Sequence, residues 1–181
     1  MAVATHVKKW TLRELHRLPD DGNKYEVVRG ELFVTPPPTD EHETILAKLT
    51  EILGPYVRVH GLGHVYHPRA VMRFEGSEVE PDLMVRSEHP RPTGRDVDWT
   101  RAPIPILVVE IASGYTRRRD RGEKRRLYLD AAVEEYWIID PEQRDVTVVH
   151  GGQRDSTHRD FVNWLPAGLA VPLTFEVGEL F

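Results

Sequence analysis

Two acidic residues stand where acids are expensive. Glu110 lies inside the apolar run Ile104-Pro105-Ile106-Leu107-Val108-Val109-Glu110-Ile111, and Asp82 sits in Val79-Glu80-Pro81-Asp82-Leu83-Met84-Val85. A carboxylate embedded in a buried strand needs a partner, usually a cation. Two carboxylates delivered to one point by adjacent strands can hold a magnesium ion. That ion takes one or two carboxylates and keeps its other positions for water and phosphate oxygens. It polarises a phosphate and turns bound water into a nucleophile. A nearby lysine would position that water or stabilise the charge that develops on the phosphorane. Residues 117–126 supply candidates, with seven Lys/Arg against two acids. In the functional reading Lys124 turns inward while arginines meet phosphates.

Each feature also has a plain reading. Asp82 can point to solvent from an edge strand, as Pro81 suggests. The continuously apolar flanks of Glu110, in contrast, mark a strand buried on both faces. Basic runs are commonly solvated helix faces, and Asp120 with Lys124 is an ordinary i,i+4 pair. Ser113 or Thr116 can simply cap that helix.

Other chemistries are poorly served. With no cysteine there is no disulfide scaffold, thiolate zinc site or Cys nucleophile. His60, His64 and His67 cluster, but Gly61 and Gly63 between them read as a turn rather than a ligand spacing. Gly61-Leu62-Gly63 lacks the later glycine of a phosphate loop. Ser113, in Glu110-Ile111-Ala112-Ser113-Gly114, is not in a nucleophile elbow. The net charge of −5 argues against coating nucleic acid by bulk electrostatics, leaving only the local basic surface at 117–126. No apolar run reaches the ~18 residues of a membrane span. Met1 to Trp10 does not read as a secretory signal, so the expected location is the cytoplasm.

The 181 residues predict one domain, 1–181, with an N-terminal helix and hairpin (about 10–35) packed on the core. Thr11-Leu12-Arg13-Glu14 fits a capping box that opens a short helix. Tyr25-Glu26-Val27-Val28 and Glu31-Leu32-Phe33-Val34 flank Arg29-Gly30, a tight hairpin. A second helix opens at Thr39-Asp40-Glu41-His42-Glu43, with acids in its first turn, and ends at Gly54-Pro55 or Gly61. Strands are expected at 63–67, 70–75, 79–86 and 104–112, then a charged helix from about 117 to 132. Further strands follow at 135–140 and 146–150, with short segments around 158–162 and 172–177. Residues 104–140 read strand, helix, strand, a βαβ unit of the right length for parallel pairing. The expectation is an α/β chain of α+β type: one mixed sheet with flanking helices.

Taken together, these residues resemble the PD-(D/E)XK nuclease superfamily and, more closely, the Uma-two family of restriction-like endonucleases. The resemblance runs from Tyr25-Glu26-Val27-Val28-Arg29-Gly30-Glu31-Leu32 through Glu80-Pro81-Asp82-Leu83 and Val108-Val109-Glu110-Ile111-Ala112-Ser113. It continues in Arg118-Arg119-Asp120-Arg121-Gly122-Glu123-Lys124-Arg125-Arg126-Leu127-Tyr128 and Glu135-Tyr136-Trp137-Ile138-Ile139-Asp140-Pro141. It implies a restriction-endonuclease-like core and a Mg²⁺- or Mn²⁺-dependent endonuclease acting on DNA. Asp82 and Glu110 would hold the metal, with the Ile111 carbonyl as a further ligand. Ala112 stands where the family pattern has its lysine, and Lys124 looks like the migrated replacement. Asp120 would orient Lys124, Arg118 or Arg121 would meet phosphates, Ser113 would support the site, and Glu31 is the likeliest extra acid. Ser113-Gly114-Tyr115-Thr116 departs from the pattern, which usually has a proline after the serine. The rival readings are a catalytically silent interaction module and a hydrolase of a small phosphorylated substrate, whose sign would be a closed pocket. Fold analogy suggests a homodimer, pairing through apolar residues near Phe175 and Phe181.

Overall fold

The computed structural model describes residues 8–87 and 102–181. Its first element, α1 (Leu12–Leu15), is held by the expected capping box. The Thr11 hydroxyl accepts the Glu14 amide at 3.3 Å, and the Glu14 carboxylate accepts the Thr11 amide at 2.9 Å. Strands β1 (Lys24–Val28) and β2 (Glu31–Thr35) form the hairpin. Arg29 and Gly30 have φ of 52° and 86°, the two left-handed residues that a tight two-residue turn requires.

Helix α2 (Asp40–Val59) is capped by Thr39 and runs through Gly54-Pro55, where the sequence suggested an end. The proline removes one backbone hydrogen bond at a cost of about 3 kcal/mol. Leu49 and Leu53 carry the buried apolar stripe up to the proline, and Val57 continues it past. Burying Val57, at about 1.5–3 kcal/mol, and packing Tyr56 on the same cluster together offset the lost bond.

Short strands β3 (His64–Tyr66), β4 (Met72–Phe74) and β5 (Ser77–Val79) follow, then β6 (Leu83–Arg86). The expected strand 79–86 is thus two strands in different sheets. Pro81 has no N–H to continue a ladder, and the chain changes sheets at Glu80-Pro81-Asp82. Asp82 therefore precedes β6 rather than lying within a strand. β6 pairs with both β3 and β7 (Leu107–Ile111), so it is not an edge strand.

After β7 come α3 (Arg117–Arg119), a π-helical turn (Asp120–Lys124) and α4 (Arg125–Asp130), in place of one uniform helix. β8 (Glu135–Asp140) pairs parallel with β7, placing Glu110 beside Ile138 and completing the βαβ unit. β9 (Asp145–Val149) and β10 (Ser156–His158) extend that sheet. β11 (Phe161–Trp164), β12 (Leu173–Glu176) and a 3₁₀ turn (Val177–Leu180) end the chain.

The described strands form three sheets, not one: β2-β1-β5-β4, a mixed β10-β9-β8-β7-β6-β3, and the pair β11-β12. The six-stranded sheet has apolar matter on both faces. Leu107, Val109 and Ile111 face α2 and the C-terminal strands, while Val108 packs with Leu127, Tyr128 and the small sheet. Strand alternation puts Glu110 on the Val108 side. Phe175 is buried in the first of these clusters and Phe181 packs against it. These two rings are therefore not an exposed patch themselves; the exposed large apolar residues of the C-terminal segment are Phe161, Leu165 and Val171. Among the described residues, no helix is long and apolar enough to cross a membrane.

The approach of β3 to the end of β6 is close enough to test. Gly63 has φ of 104°, and a Cβ there would lie 2.2 Å from the Arg86 carbonyl oxygen, whereas Gly61 (φ 63°) faces open space. Gly63→Ala is expected to cost about 3 kcal/mol, against about 1 kcal/mol for Gly61→Ala, as read from urea midpoints. Equal losses would contradict the close approach.

Candidate active site

Glu110 projects from the middle sheet toward the helix that follows it. Lys124, the last residue of the π turn, lies 2.7 Å from Glu110 Oε1 and 2.8 Å from Glu26 Oε1. It is 0% exposed. The Tyr128 hydroxyl donates to the same Glu110 oxygen at 2.5 Å. The charge beside Glu110 is thus supplied by Lys124, while Ala112, two positions after Glu110, carries none.

The π turn explains how the helix achieves this. In a regular α-helix, positions four apart drift by about 40° round the axis. The wider π turn drifts the opposite way and cancels part of that rotation. Thr116, Asp120, Lys124 and Tyr128, each four apart, are all buried on one face as a result.

Asp82 reaches the same region from the sheet-switching segment. Its Oδ2 accepts the Ile111 amide at 2.9 Å, which ties it to the residue beside Glu110. Lys24 Nζ lies 2.9 Å from Oδ1, and His42 Nε2 lies 3.2 Å from Oδ2. Glu26 Oε1 accepts the Glu80 amide at 2.9 Å, and Lys24 donates to the Glu80 carbonyl at 3.1 Å. The first strand thus clamps the segment that carries Asp82.

The structure brings Asp82, Glu110, Ile111 and Lys124 together. Asp120 is buried beside them, but the carboxylate partners of Lys124 are Glu26 and Glu110. The Asp120 oxygens have no hydrogen-bond partner, and Arg119 Nε is 3.9 Å away. Ser113 closes the loop after β7, its amide donating to the Thr116 hydroxyl at 2.9 Å. Glu31 lies exposed at the start of β2, so Glu26, rather than Glu31, is the additional acid in contact with Lys124. Most of the arginine-rich stretch is internally paired. Arg117 binds Asp140 at 2.9 Å and Glu142 at 2.8 Å, and Arg125 grips Asp155 through two bonds of 2.7 and 3.0 Å. Arg121 lies 3.3 Å from the Thr147 hydroxyl and 3.6 Å from Asp140. Arg118 stays exposed with no ion pair among the described residues.

Sequence reasoning passed over Glu26, Lys24, His42 and Tyr128. Glu26 carried the same signal as Glu110, an acid between apolar strand residues Tyr25 and Val27. His42 lies on the apolar stripe of α2 with Leu46, Leu49 and Leu53, not on its solvent face. For Lys24, at the start of a strand, no local signal existed.

Charge divides the acids. Burial alone would push Asp82 upward, but Lys24, His42 and Lys124 hold its carboxyl well below the usual range. Burial likewise opposes ionisation of Glu26, yet Lys124, Lys24 and Arg119 lower it. Glu110 moves the other way, to about 7, because burial and the Asp82 charge outweigh Lys124. Burial also raises Asp120. The buried acids Glu26, Asp82, Glu110 and Asp120 are matched by Lys24, Lys124 and Arg119. Against the effect of burial, Asp82 raises His42 above its ordinary value, so a proton on His42, a proton on Glu110 or a bound cation relieves the remaining negative charge of the cluster. Two carboxyls with opposed shifts are the usual basis for acid–base work.

Asp82, Glu110 and Ile111 line a cavity of about 1160 Å³, together with Lys24, His42 and Arg119. The oxygen donors suit a hard divalent ion, and the orphaned oxygens of Glu26 and Asp120 show a surplus of acceptors. Among the described residues no three His, Asp or Glu form a ready cage.

The Glu110 shift sets a stability slope. Its folded value of about 7 exceeds the ordinary 4.5, so its contribution is full below about 4.5 and is lost as pH rises through 7. In EDTA, the urea midpoint should fall between pH 5 and 8, and Glu110→Gln should flatten that fall. An unchanged slope in the variant would contradict the assignment.

Comparison with known proteins gives a consistent picture. The model of the Uma2 family, described as "Putative restriction endonuclease", matches residues 12–178. A crystal structure of a "putative nuclease belonging to DUF820" from Anabaena variabilis ATCC 29413 superposes with a TM-score of 0.76. The two chains are 20% identical, and the match covers 95% of this chain and 97% of that one. At that identity the likeness establishes the fold. No curated protein matches the chain.

Proposed function

Because this chain belongs to the Uma2 family, whose description is "Putative restriction endonuclease", we propose that it is a Mg²⁺- or Mn²⁺-dependent endonuclease that hydrolyses DNA phosphodiester bonds. The observation that carries the reading is the bond from the Ile111 amide to Asp82, which sets two carboxylates of opposite protonation tendency beside a buried lysine. Asp82 and Glu110 would hold the ion, with the Ile111 carbonyl as a further oxygen donor. The ion, when bound, would polarise the phosphate and lower the pKa of its water.

The chain's own residues divide the remaining work. Glu110 must release its proton to act as a ligand, so metal affinity is expected to rise with pH through about 7. Lys124, relieved of part of its bond to Glu110, would place its ammonium beside the phosphate and stabilise the charge that develops there. Glu26, 2.8 Å away, holds that ammonium in place beneath the cavity-lining Glu110. His42 and Lys24 hold Asp82 ionised and in register with β7.

One observation favours a second reading. Lys24 and Lys124 already satisfy Asp82 and Glu110 without any metal, as expected of an interaction module that kept the fold but lost catalysis. One set of incubations separates the two. Purified protein is mixed with supercoiled, linear duplex and single-stranded DNA in Mg²⁺, Mn²⁺ or EDTA. Cleavage is expected only with metal, and should fall by about 10²-fold or more in an Asp82→Asn, Glu110→Gln double variant. Unchanged cleavage in that variant would sink the proposal. Absence of both cleavage and calorimetric Mn²⁺ binding would favour the silent module.

A further inference from the structure

The acids of this site are recessed. Glu110 is 2% exposed and Asp82 is 5% exposed, both at the wall of the cavity. An intact duplex is a stiff rod, with a persistence length of about 50 nm, whose phosphates run along its outside. Such a rod docks on open or concave surfaces, and bringing one of its phosphates into a narrow recess costs the energy of bending or opening it. An unpaired strand can, since its backbone bends freely and its bases are not held by a partner.

Three further observations fit an unpaired strand. Tyr115 is 85% exposed, the most open large hydrophobic side chain described, and it lines the mouth of the same cavity. A fully exposed aromatic ring loses hydrophobic burial, and at the entrance of a phosphate site its face is a platform for a base. The cavity is also lined by Pro36, Pro37, Pro38 and Leu46, apolar surface that suits a base or sugar rather than a run of phosphates. The arginine-rich stretch does not form a long phosphate track. Arg117, Arg119, Arg121, Arg125 and Arg126 all have acidic partners within the fold. Among the described residues, that stretch leaves little unpaired basic surface to follow a duplex through many phosphate contacts.

Resting on the nuclease reading above, we infer that the site takes single-stranded DNA, with one unpaired nucleotide entering the cavity and its base stacked on Tyr115. Specificity for strand state comes from the depth of the acids, and affinity for the entering nucleotide from the Tyr115 ring. The cavity volume of about 1160 Å³ leaves room for one to two nucleotides, not for a helix turn.

The test reads binding and cleavage separately. In EDTA, which stops metal-dependent cleavage, fluorescence anisotropy compares a labelled 12-nucleotide single strand, the same sequence as a blunt duplex, and a labelled mononucleotide. The single strand is expected to bind at least tenfold more tightly than the duplex. Tyr115→Ala should weaken single-strand binding about tenfold, and Tyr115→Phe should restore it, because stacking needs the ring and not the hydroxyl. With Mn²⁺ present, kcat/KM should favour the single strand by a similar factor, with the Tyr115→Ala loss in KM. Equal or tighter duplex binding, no binding of either form, or binding indifferent to Tyr115→Ala would each overturn the inference. Tightest binding of the mononucleotide would overturn it in favour of a small phosphorylated substrate. Tyr115-dependent single-strand binding without cleavage would leave the inference standing while the nuclease reading fails.

Discussion

A single ammonium group joins the parts of this molecule. Lys124 is sealed from water and shared between Glu26 of the small sheet and Glu110 of the large one, while its own backbone belongs to the helix that covers both. Three layers therefore meet at one charge. Removing one member of such a buried set leaves the others uncompensated, typically at a loss of 3–5 kcal/mol. The geometry around Lys124 is correspondingly well defined. Tyr128 donates to the same Glu110 oxygen, and Glu26 also receives the Glu80 amide. A site built on this lysine is preorganised because the fold itself depends on it.

The same interaction explains the uneven charge of the acids. One lysine cannot fully neutralise two buried carboxylates. Glu26 has Lys24 and Arg119 as additional support and is lowered. Glu110 has the Asp82 charge beside it instead and is raised. Asp82 stays ionised because Lys24, His42 and the Ile111 amide all favour its charged form. The cluster is thus short of positive charge in the cavity, not in the core, and the cavity is where an incoming cation or proton relieves it. The external arginines do not, since they are largely spent on acids such as Asp140 and Asp155.

Much of this was legible in the chain because it is local. The Thr11–Glu14 capping box, the Arg29-Gly30 turn, the amphipathic face of α2 and the β7–helix–β8 unit follow from spacing within a few residues. Asp82 and Glu110 were visible as acids too expensive to bury alone, and Lys124 through the family resemblance. What was not legible depends on distant contacts. The division into separate sheets turns on where Pro81 breaks a ladder. The passage of α2 through Pro55 depends on what buries Val57. The π turn has no propensity signature and appears only where Asp120, Lys124 and Tyr128 must share a face. Glu26 escaped notice for a different reason. It carried a readable signal, but its short hairpin strand looked peripheral until the fold placed it under Lys124.

The sheet change at Glu80-Pro81-Asp82 has a mechanical side. Three residues form the bridge between the small sheet and the large one, and the last of them is the residue that would grip a ligand. Whatever is held at Asp82 then acts as a rivet between two sheets that otherwise meet through apolar packing and the ion pairs of Lys24 and Lys124. Occupancy of the cavity becomes cohesion of the whole body, so that the amides of β1 and β5, well away from any substrate, would register loading of the site as slower opening.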